Sequence, residues 1–219
     1  MQYAIRRAKF AWQIRRGQFL PDEPEGLDVT RYVRPGDWVV DVGANVGRYT
    51  CHMSRCVGSA GRVLAFEPIA ESFALLAANV RTLGATNVSL FNIALSRTSE
   101  MVCMAVPHHD RTRLNNYYQA HIAPEGEYRV LCLPLDAIPM LGQVRLVKVD
   151  AEGHDLQVLQ GMQTLLHRDR PLLIVEGSQT GSVATWLREQ GYDIRKAPGS
   201  PNIVAEPLEW LEDSSTSAA

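Results

Sequence analysis

Short apolar, β-branched runs alternate with amphipathic helical segments along most of this chain. The runs are DWVVDV (37–42), GRVLAFEP (61–68), NVSLFNIAL (87–95), VRLVKVD (144–150) and PLLIVEG (171–177). Helical periodicity marks the segments 47–57, 69–83, 154–167 and 181–190. Strands that alternate with helices form βαβ crossovers, so we expect an α/β, Rossmann-like fold with a mostly parallel sheet and helices on both faces. Two final strands, near 191–196 and 202–206, lack a helix between them and predict an antiparallel hairpin at one edge.

The length of 219 residues suits one α/β domain with extensions at both ends. We expect a basic N-terminal helix and linker over 1–26, the main domain over 27–207 and a flexible tail over 208–219. The net charge of −2 gives no general attraction to nucleic acid or to an anionic membrane. The first helix carries five basic residues and no acid, which we interpret as a solvated face. A surface for RNA or anionic lipid is the alternative.

The cysteines and the apolar runs indicate the compartment. Cys51, Cys56, Cys103 and Cys132 form no CxxC pair and lack the spacing of metal ligands, which is typical of reduced thiols. No run reaches the roughly 18 apolar residues that a membrane span needs. The basic N-terminus also lacks the apolar core of a secretory signal. We therefore expect a cytoplasmic protein.

The first strand runs into the turn DVGANVG, residues 41–47, which carries one acid and two glycines. Ligands of open α/β sheets lie beyond the carboxyl ends of the strands, where this turn stands. The chain has no GxxxxGK[ST] phosphate loop, and the GxxxG spacing of the turn, with Asn45 in its middle, does not match the GxGxxG of dinucleotide sites. Asp41 would also repel a pyrophosphate. S-adenosylmethionine fits better, because it has no phosphates and carries an ammonium and a sulfonium.

Polar residues also end the second and third strands. Glu67, followed by Pro68, stands where a carboxylate accepts hydrogen bonds from a ribose diol in dinucleotide folds. Asn92 and Ala94 stand where an adenine would lie. The alternatives are a glycine that only forms a tight turn and an acid that only caps a helix. The predicted cofactor site comprises Asp41, Gly43, Ala44, Asn45, Gly47, Glu67, Pro68, Asn92 and Ala94.

Together these blocks resemble the FkbM family of methyltransferases. Its successive motifs are matched by VVDVGANVGRYT, GRVLAFEP, LPLDAI, LVKVDAEGHDLQVLQGM and RPLLIVEG, in the same order and spacing between Arg34 and Gly177. The resemblance implies the class I methyltransferase fold, with a seven-stranded sheet whose last strand is antiparallel. It also implies methylation of hydroxyl oxygens, on polyketide lactones or on sugars. Many members read EGAE where this chain reads Glu152-Gly153-His154-Asp155.

The segment KVDAEGHD, at the end of the fourth long strand, supplies the candidate catalytic groups. Methyl transfer to an alcohol requires alignment of the acceptor oxygen and removal of its proton. We expect Asp150 or His154 to be the general base, with Glu152 orienting one of them or the acceptor. The alternative is that Asp150 only caps the following helix. These groups could also hold a divalent metal ion, but the set is explained without one.

Residues 107–128 are rich in His, Arg, Asn and Tyr, as in loops that recognise hydroxylated molecules. We expect His108, His109 and Tyr117 to contact the acceptor; a solvated loop is the alternative. The sequence thus predicts an S-adenosylmethionine-dependent O-methyltransferase for a hydroxyl of a sugar, glycoconjugate or secondary metabolite. The alternatives are N-methylation of a small amine or protein, and a non-catalytic module that binds the cofactor or RNA.

Overall fold

The computed structural model describes residues 2–107, 116–196 and 198–211. The strands are β1 (Trp38–Val42), β2 (Arg62–Phe66), β3 (Val88–Phe91), β4 (Ala94–Leu95), β5 (Glu100–Ala105), β6 (His121–Ile122), β7 (Tyr128–Leu133), β8 (Val144–Val149), β9 (Leu172–Glu176), β10 (Tyr192–Lys196) and β11 (Asn202–Pro207). The α-helices are α1 (Gln2–Arg15), α2 (Pro24–Leu27), α3 (Val29–Tyr32), α4 (Arg48–Val57), α5 (Ala70–Leu83), α6 (Asp155–Gln160), α7 (Gln163–Asp169) and α8 (Ser182–Glu189).

Seven strands form the main sheet, in the order β10-β11-β9-β8-β1-β2-β3. β1 lies at its centre and pairs in parallel with β2 and β8, while β11 runs antiparallel between β9 and β10. This arrangement confirms the predicted α/β fold and its antiparallel last strand. The carboxyl ends of β1, β2 and β8 therefore meet at one edge of the sheet.

Apolar side chains cover both faces of the central strand. Val39 belongs to a buried cluster with Tyr49 and Met53 of α4, whereas Val40 packs into the cluster that contains Leu159 of α6. A strand covered on both faces is mainly apolar along its length, as β1 is apart from Asp41. The helices on the two faces thus follow from the nearly continuous apolar run that the sequence shows.

The predicted third strand, 87–95, is divided between two sheets. Residues Val88–Phe91 extend the main sheet, whereas Ala94–Leu95 joins a four-stranded sheet of order β4-β7-β5-β6. Between them, the Asn92 side chain donates hydrogen bonds to the carbonyl oxygens of Glu67 and Pro68 at 2.8 and 3.0 Å. This crosslink ties the end of β3 to the end of β2. The second sheet packs there through Ile69, Ala94, Met104, Val130 and Cys132.

The predicted helix over 154–167 is also divided, into α6 and α7. A Cβ atom on Gly161 would lie 2.0 Å from the carbonyl oxygen of Ser96, the residue after β4, so the two backbone segments approach at a distance that excludes a side chain. The Asp136 carboxylate then accepts the amides of Thr164 and Leu165 at 2.8 and 3.0 Å. A side chain from elsewhere in the fold therefore caps the start of α7.

The N-terminal helix packs on α5. Phe10, Ile14 and Phe19 are buried, as expected for docked apolar side chains, but Tyr3 and Trp12 are exposed. None of the described helices is both long and apolar enough to cross a bilayer. The four cysteines are free thiols. The cytoplasmic location and the division at residues 26 and 207 stay predictions, and residues 212–219 of the predicted tail lie outside the described residues.

Candidate active site

A cleft with about 620 Å³ of empty space opens at the carboxyl ends of β1, β2 and β8. This volume includes the open solvent at the mouth of the cleft. The main sheet supplies one wall. The opposite wall comes from the second sheet and the segment between its strands β5 and β6, through Met104, Tyr117, Ala120 and Ile122.

Gly43 brings the turn after β1 against the end of β8. Its φ is +70°, and a Cβ atom there would lie 1.9 Å from the carbonyl oxygen of Asp150. No side chain fits that gap, since real Cβ contacts are far longer. We predicted this glycine as part of the cofactor site. In the structure it permits close approach of the end of the neighbouring strand β8.

Glu67 is buried at the end of β2, and both of its carboxylate oxygens accept backbone amides. The N–H of Asn45 donates to Oε2 at 2.8 Å and the N–H of Ile69 donates to Oε1 at 2.9 Å. Each oxygen keeps a second lone pair. Burial raises the pKa of Glu67 to about 7, although the two amide donors oppose that rise. The carboxyl group is therefore fixed in orientation and titrates near neutral pH.

The predicted cofactor residues divide into two groups. Those that line the cleft are Gly43, Asn45, Glu67, Pro68 and Ala94. Those outside its lining are Asp41, Ala44, Gly47 and Asn92. Asn92 is instead the crosslink between β3 and β2 described above. The cleft lining also includes Phe66, Ile93 and Leu95, apolar residues that sequence reasoning did not assign.

Asp41 lies behind the cleft wall and is fully buried. Its Oδ2 accepts the hydroxyl of Thr50, and its Oδ1 lies 3.9 Å from the Nζ atom of Lys148. Burial raises the pKa of Asp41, while Lys148 and Thr50 lower it. Asp41 is thus held in the protein interior behind the cleft wall, whereas the sequence predicted it in the cofactor site.

Lys148 is a residue of the site that sequence reasoning missed. It is 4% exposed, and its Nζ atom donates to Asp150 Oδ2 at 3.1 Å and to the Gly43 carbonyl oxygen at 3.2 Å. Burial lowers the pKa of Lys148, but Asp150 and Asp41 outweigh burial and raise it above its ordinary value. A charged lysine therefore stands between the turn and the candidate catalytic segment.

The three predicted catalytic residues meet at the cleft. Asp150, Glu152 and His154 all line it, directly after β8. Burial, together with the charge of Asp150, raises the pKa of Glu152 to about 7. Burial lowers the pKa of His154, whose Nε2 lies 2.9 Å from the Ser96 hydroxyl. His154 is thus neutral near pH 7, while Glu152 is partly protonated.

Two further expectations concern the metal and the acceptor. Within the described ranges, no group of three or more His, Cys, Asp or Glu side chains could hold a metal ion. Tyr117 lines the cleft, as expected for an acceptor contact. His108 and His109 lie outside the described residues. A role for Tyr117 in acceptor binding is still a prediction.

Known proteins resemble this chain in sequence. The family model of the methyltransferase FkbM domain matches residues 41–194. The hexuronic acid methyltransferase AglP of Haloferax volcanii is 28% identical in an alignment of 175 positions that covers 75% of this chain and 65% of that protein. The chain thus spans somewhat less than two thirds of the length of this curated relative.

Solved structures share the fold. The methyltransferase FkbM from Methylobacillus flagellatus KT superposes with a TM-score of 0.59 at 16% identity, over 78% of this chain and 43% of that one. A candidate methyltransferase from Streptococcus mutans, solved in complex with SAH, superposes with a TM-score of 0.51 at 11% identity, over 85% and 97% of the two chains. The seven-stranded sheet is therefore that of class I methyltransferases.

Proposed function

The chain belongs to the FkbM methyltransferase family, and on that basis we propose that it transfers a methyl group from S-adenosylmethionine to a hydroxyl oxygen of a sugar. The observation that carries this proposal is that acidic side chains from two strand ends line one cleft. Glu67 stands at the end of β2, while Asp150 and Glu152 stand after β8. Glu67 suits a ribose diol, whereas Asp150 and Glu152 suit a hydroxyl group that must lose its proton.

The chemistry of the cleft supports S-adenosylmethionine as the cofactor. Glu67 presents a fixed carboxylate with lone pairs that remain available to ribose hydroxyl groups. Asn45 lines the same wall, and its buried Oδ1 atom lacks a hydrogen-bond partner among the described residues. An unpartnered buried oxygen is costly, so a donor from a ligand would satisfy it. The Streptococcus mutans neighbour, which holds SAH, agrees with this assignment.

When bound, S-adenosylmethionine supplies an electrophilic methyl group. The task of the protein is then to orient the acceptor oxygen and to take its proton. Asp150 is the best placed base, because its side chain is 40% exposed and lines the cleft while Lys148 binds its Oδ2. That contact leaves Oδ1 available to a hydroxyl group.

The neighbouring residues are less suited to that task. His154 is neutral, but its Nε2 is engaged by Ser96. Glu152 is partly protonated near neutral pH, so it suits hydrogen bonding to the acceptor better than proton removal. We therefore assign Asp150 as the base, Glu152 as an acceptor-orienting group and His154 as a cleft-wall residue.

The acceptor is proposed to be a sugar, because the curated relative from Haloferax volcanii is a hexuronic acid methyltransferase. The second sheet and Tyr117 give the cleft a wall that mixes aromatic, apolar and polar surface. Sugars present apolar faces and hydroxyl edges, which such a wall can bind. A panel of neutral hexosides and hexuronides would separate an acceptor that resembles the relative's substrate from one that does not.

The test combines binding with turnover. Titration calorimetry should show binding of both S-adenosylmethionine and its demethylated product, and transfer of a radiolabelled methyl group should label at least one glycoside of the panel. Asp150→Asn should lower kcat by about 100-fold or more while cofactor affinity is retained. The exposed Asp193 on β10 gives the matched control, and Asp193→Asn should be fully active. Failure to bind either form of the cofactor would overturn the proposal.

A further inference from the structure

Lys148 is buried behind the cleft wall, and the distances from its Nζ atom to the two neighbouring carboxylates are unequal. The Nζ atom is 3.1 Å from Asp150 Oδ2 but 3.9 Å from Asp41 Oδ1. It also donates to the Gly43 carbonyl oxygen at 3.2 Å, and it lies 5.2 Å from the centre of the Tyr49 ring. The shortest polar contact of the lysine is therefore to the cleft-facing carboxylate.

A purely structural role would require Lys148 mainly to neutralise Asp41. The geometry argues against this, because Asp41 already accepts the Thr50 hydroxyl and stands beyond hydrogen-bond distance of the lysine. Asp150, in contrast, has a half-exposed side chain, and its carboxylate accepts a hydrogen bond from Lys148. Without the lysine, solvent-facing rotamers would compete with the orientation seen here.

We propose that Lys148 is a positioning residue for Asp150, acting as the counter-charge that directs its carboxylate at the acceptor while it ties β8 to the turn of Gly43. This inference rests on the proposed function, since it assumes that Asp150 takes the acceptor proton. Lys148 itself lies outside the cleft lining and touches no reacting group. Its effect on turnover therefore passes through Asp150.

The charges around this pair are mostly negative. Acidic groups reach it from β1, from the linker before α2, from the segment after β8 and from β9: Asp41, Glu23, Glu152, Asp155 and Glu176. Like charges disfavour ionisation of a carboxyl group, and an opposite charge at hydrogen-bond distance favours it. Removal of the lysine would therefore leave Asp150 among acids with its main counter-charge lost.

The test is a double-mutant cycle between Lys148→Met and Asp150→Asn. We expect Lys148→Met to lower kcat by about 10- to 100-fold, with acceptor KM and cofactor Kd changed by less than about threefold. In the Asp150→Asn background the same change should cost less than about twofold, because two residues that act as a unit are non-additive. Lys148→Arg, which keeps the charge, should recover most of the lost kcat. Equal losses in both backgrounds would overturn the proposal.

Because Lys148→Met leaves Asp41 buried beside an uncharged side chain, the cycle is repeated in an Asp41→Asn background. There the buried pair is removed as a whole, and the same non-additivity is expected. The dependence of kcat on pH provides a second readout. The pH at which activity is half lost on the acidic side should rise by about 1 unit or more in Lys148→Met and return to the wild-type value in Lys148→Arg. An unchanged midpoint in Lys148→Met contradicts the proposal.

A spectroscopic measurement separates this inference from the proposed function. Carboxyl NMR titration of Asp150 in the ligand-free protein needs no turnover. A midpoint about 1 unit higher in Lys148→Met than in the wild type supports the positioning role even if no acceptor is methylated. An unchanged midpoint refutes it even in an active enzyme. If no methyl transfer is detected but Lys148→Met still raises the Asp150 midpoint, the result counts against the proposed function alone.

Discussion

The affinity of this protein for S-adenosylmethionine should rise with pH through the titration of Glu67. The carboxyl group has to be ionised to accept two hydroxyl groups, yet burial raises its pKa to about 7. With that value, roughly 9% of the carboxyl is ionised at pH 6 and roughly 90% at pH 8. A ligand that binds only the ionised form therefore gains about tenfold in apparent affinity between these two pH values.

Titration calorimetry with S-adenosylmethionine or its product measures this effect directly. Besides the change in Kd, binding should release about 0.9 proton at pH 6 and about 0.1 proton at pH 8, measured in buffers of different ionisation enthalpy. Glu67→Gln should remove the pH dependence. It should also weaken binding by roughly 1 to 3 kcal/mol, because the amide nitrogen would face one of the two backbone donors now bound by the carboxylate.

Glu152 supplies the control, since its pKa is also raised to about 7 by burial and the charge of Asp150. Glu152→Gln should keep the Glu67 contribution to proton release. A wild-type Kd that is constant between pH 6 and pH 8 would refute the reasoning. So would a pH dependence that survives Glu67→Gln and disappears in Glu152→Gln.

Three shorter predictions follow from single features of the site. Gly43→Ala should lower the free energy of unfolding in urea by about 3 kcal/mol or more, because the new Cβ atom would clash with the Asp150 carbonyl oxygen. The control is Gly84→Ala, which has open space around it and should cost about 1 kcal/mol. Equal costs for the two variants would contradict the packing argument. Folding raises the pKa of Glu67 from 4.5 to about 7, so its stabilising contribution is full below pH 4.5 and is lost as the pH rises through about 7. Across that window, the free energy of unfolding of the wild type should fall by up to about 3 kcal/mol relative to that of Glu67→Gln. Methyl transfer should persist in EDTA, because Lys148 already supplies a positive charge at Asp150 Oδ2, where a metal ion would otherwise bind; loss of activity that Mg²⁺ restores would refute this.

The sheet and its ligand-binding edge could be predicted because they depend on patterns that persist over many residues. An apolar run such as VRLVKV identifies a strand covered on both faces, and the helices between the runs impose parallel crossovers. Strand ends then follow from the order of the runs, which is why Glu67 and Asp150 were placed at one edge. The short strand Ala94–Leu95 was not separated from β3, because the break depends on a crosslink from Asn92 to a distant turn.

Lys148 was missed although the sequence carried a signal for it. A lysine in a mainly apolar run is usually exposed. The interior of a central parallel strand has no exposed face, however, so the lysine near the end of VRLVKV has to be buried with a partner. The partner follows from register: Asp41 of β1 stands opposite Lys148 of β8. Recognising that register from the sequence would also have moved Asp41 from the ligand site to the interior.

The acids at this edge differ in chemistry because they differ in environment, not in residue type. Asp41 and Glu67 are both buried, but Asp41 faces an internal lysine and a hydroxyl, whereas Glu67 faces the cleft between two amide donors. Asp150 is more exposed and has the same lysine as its partner. Carboxyl groups whose environments differ in this way can divide the work of binding, charge compensation and proton transfer. This arrangement depends on Gly43. Any side chain there would push the turn after β1 away from the end of β8 and move Lys148 away from Asp41 or Asp150.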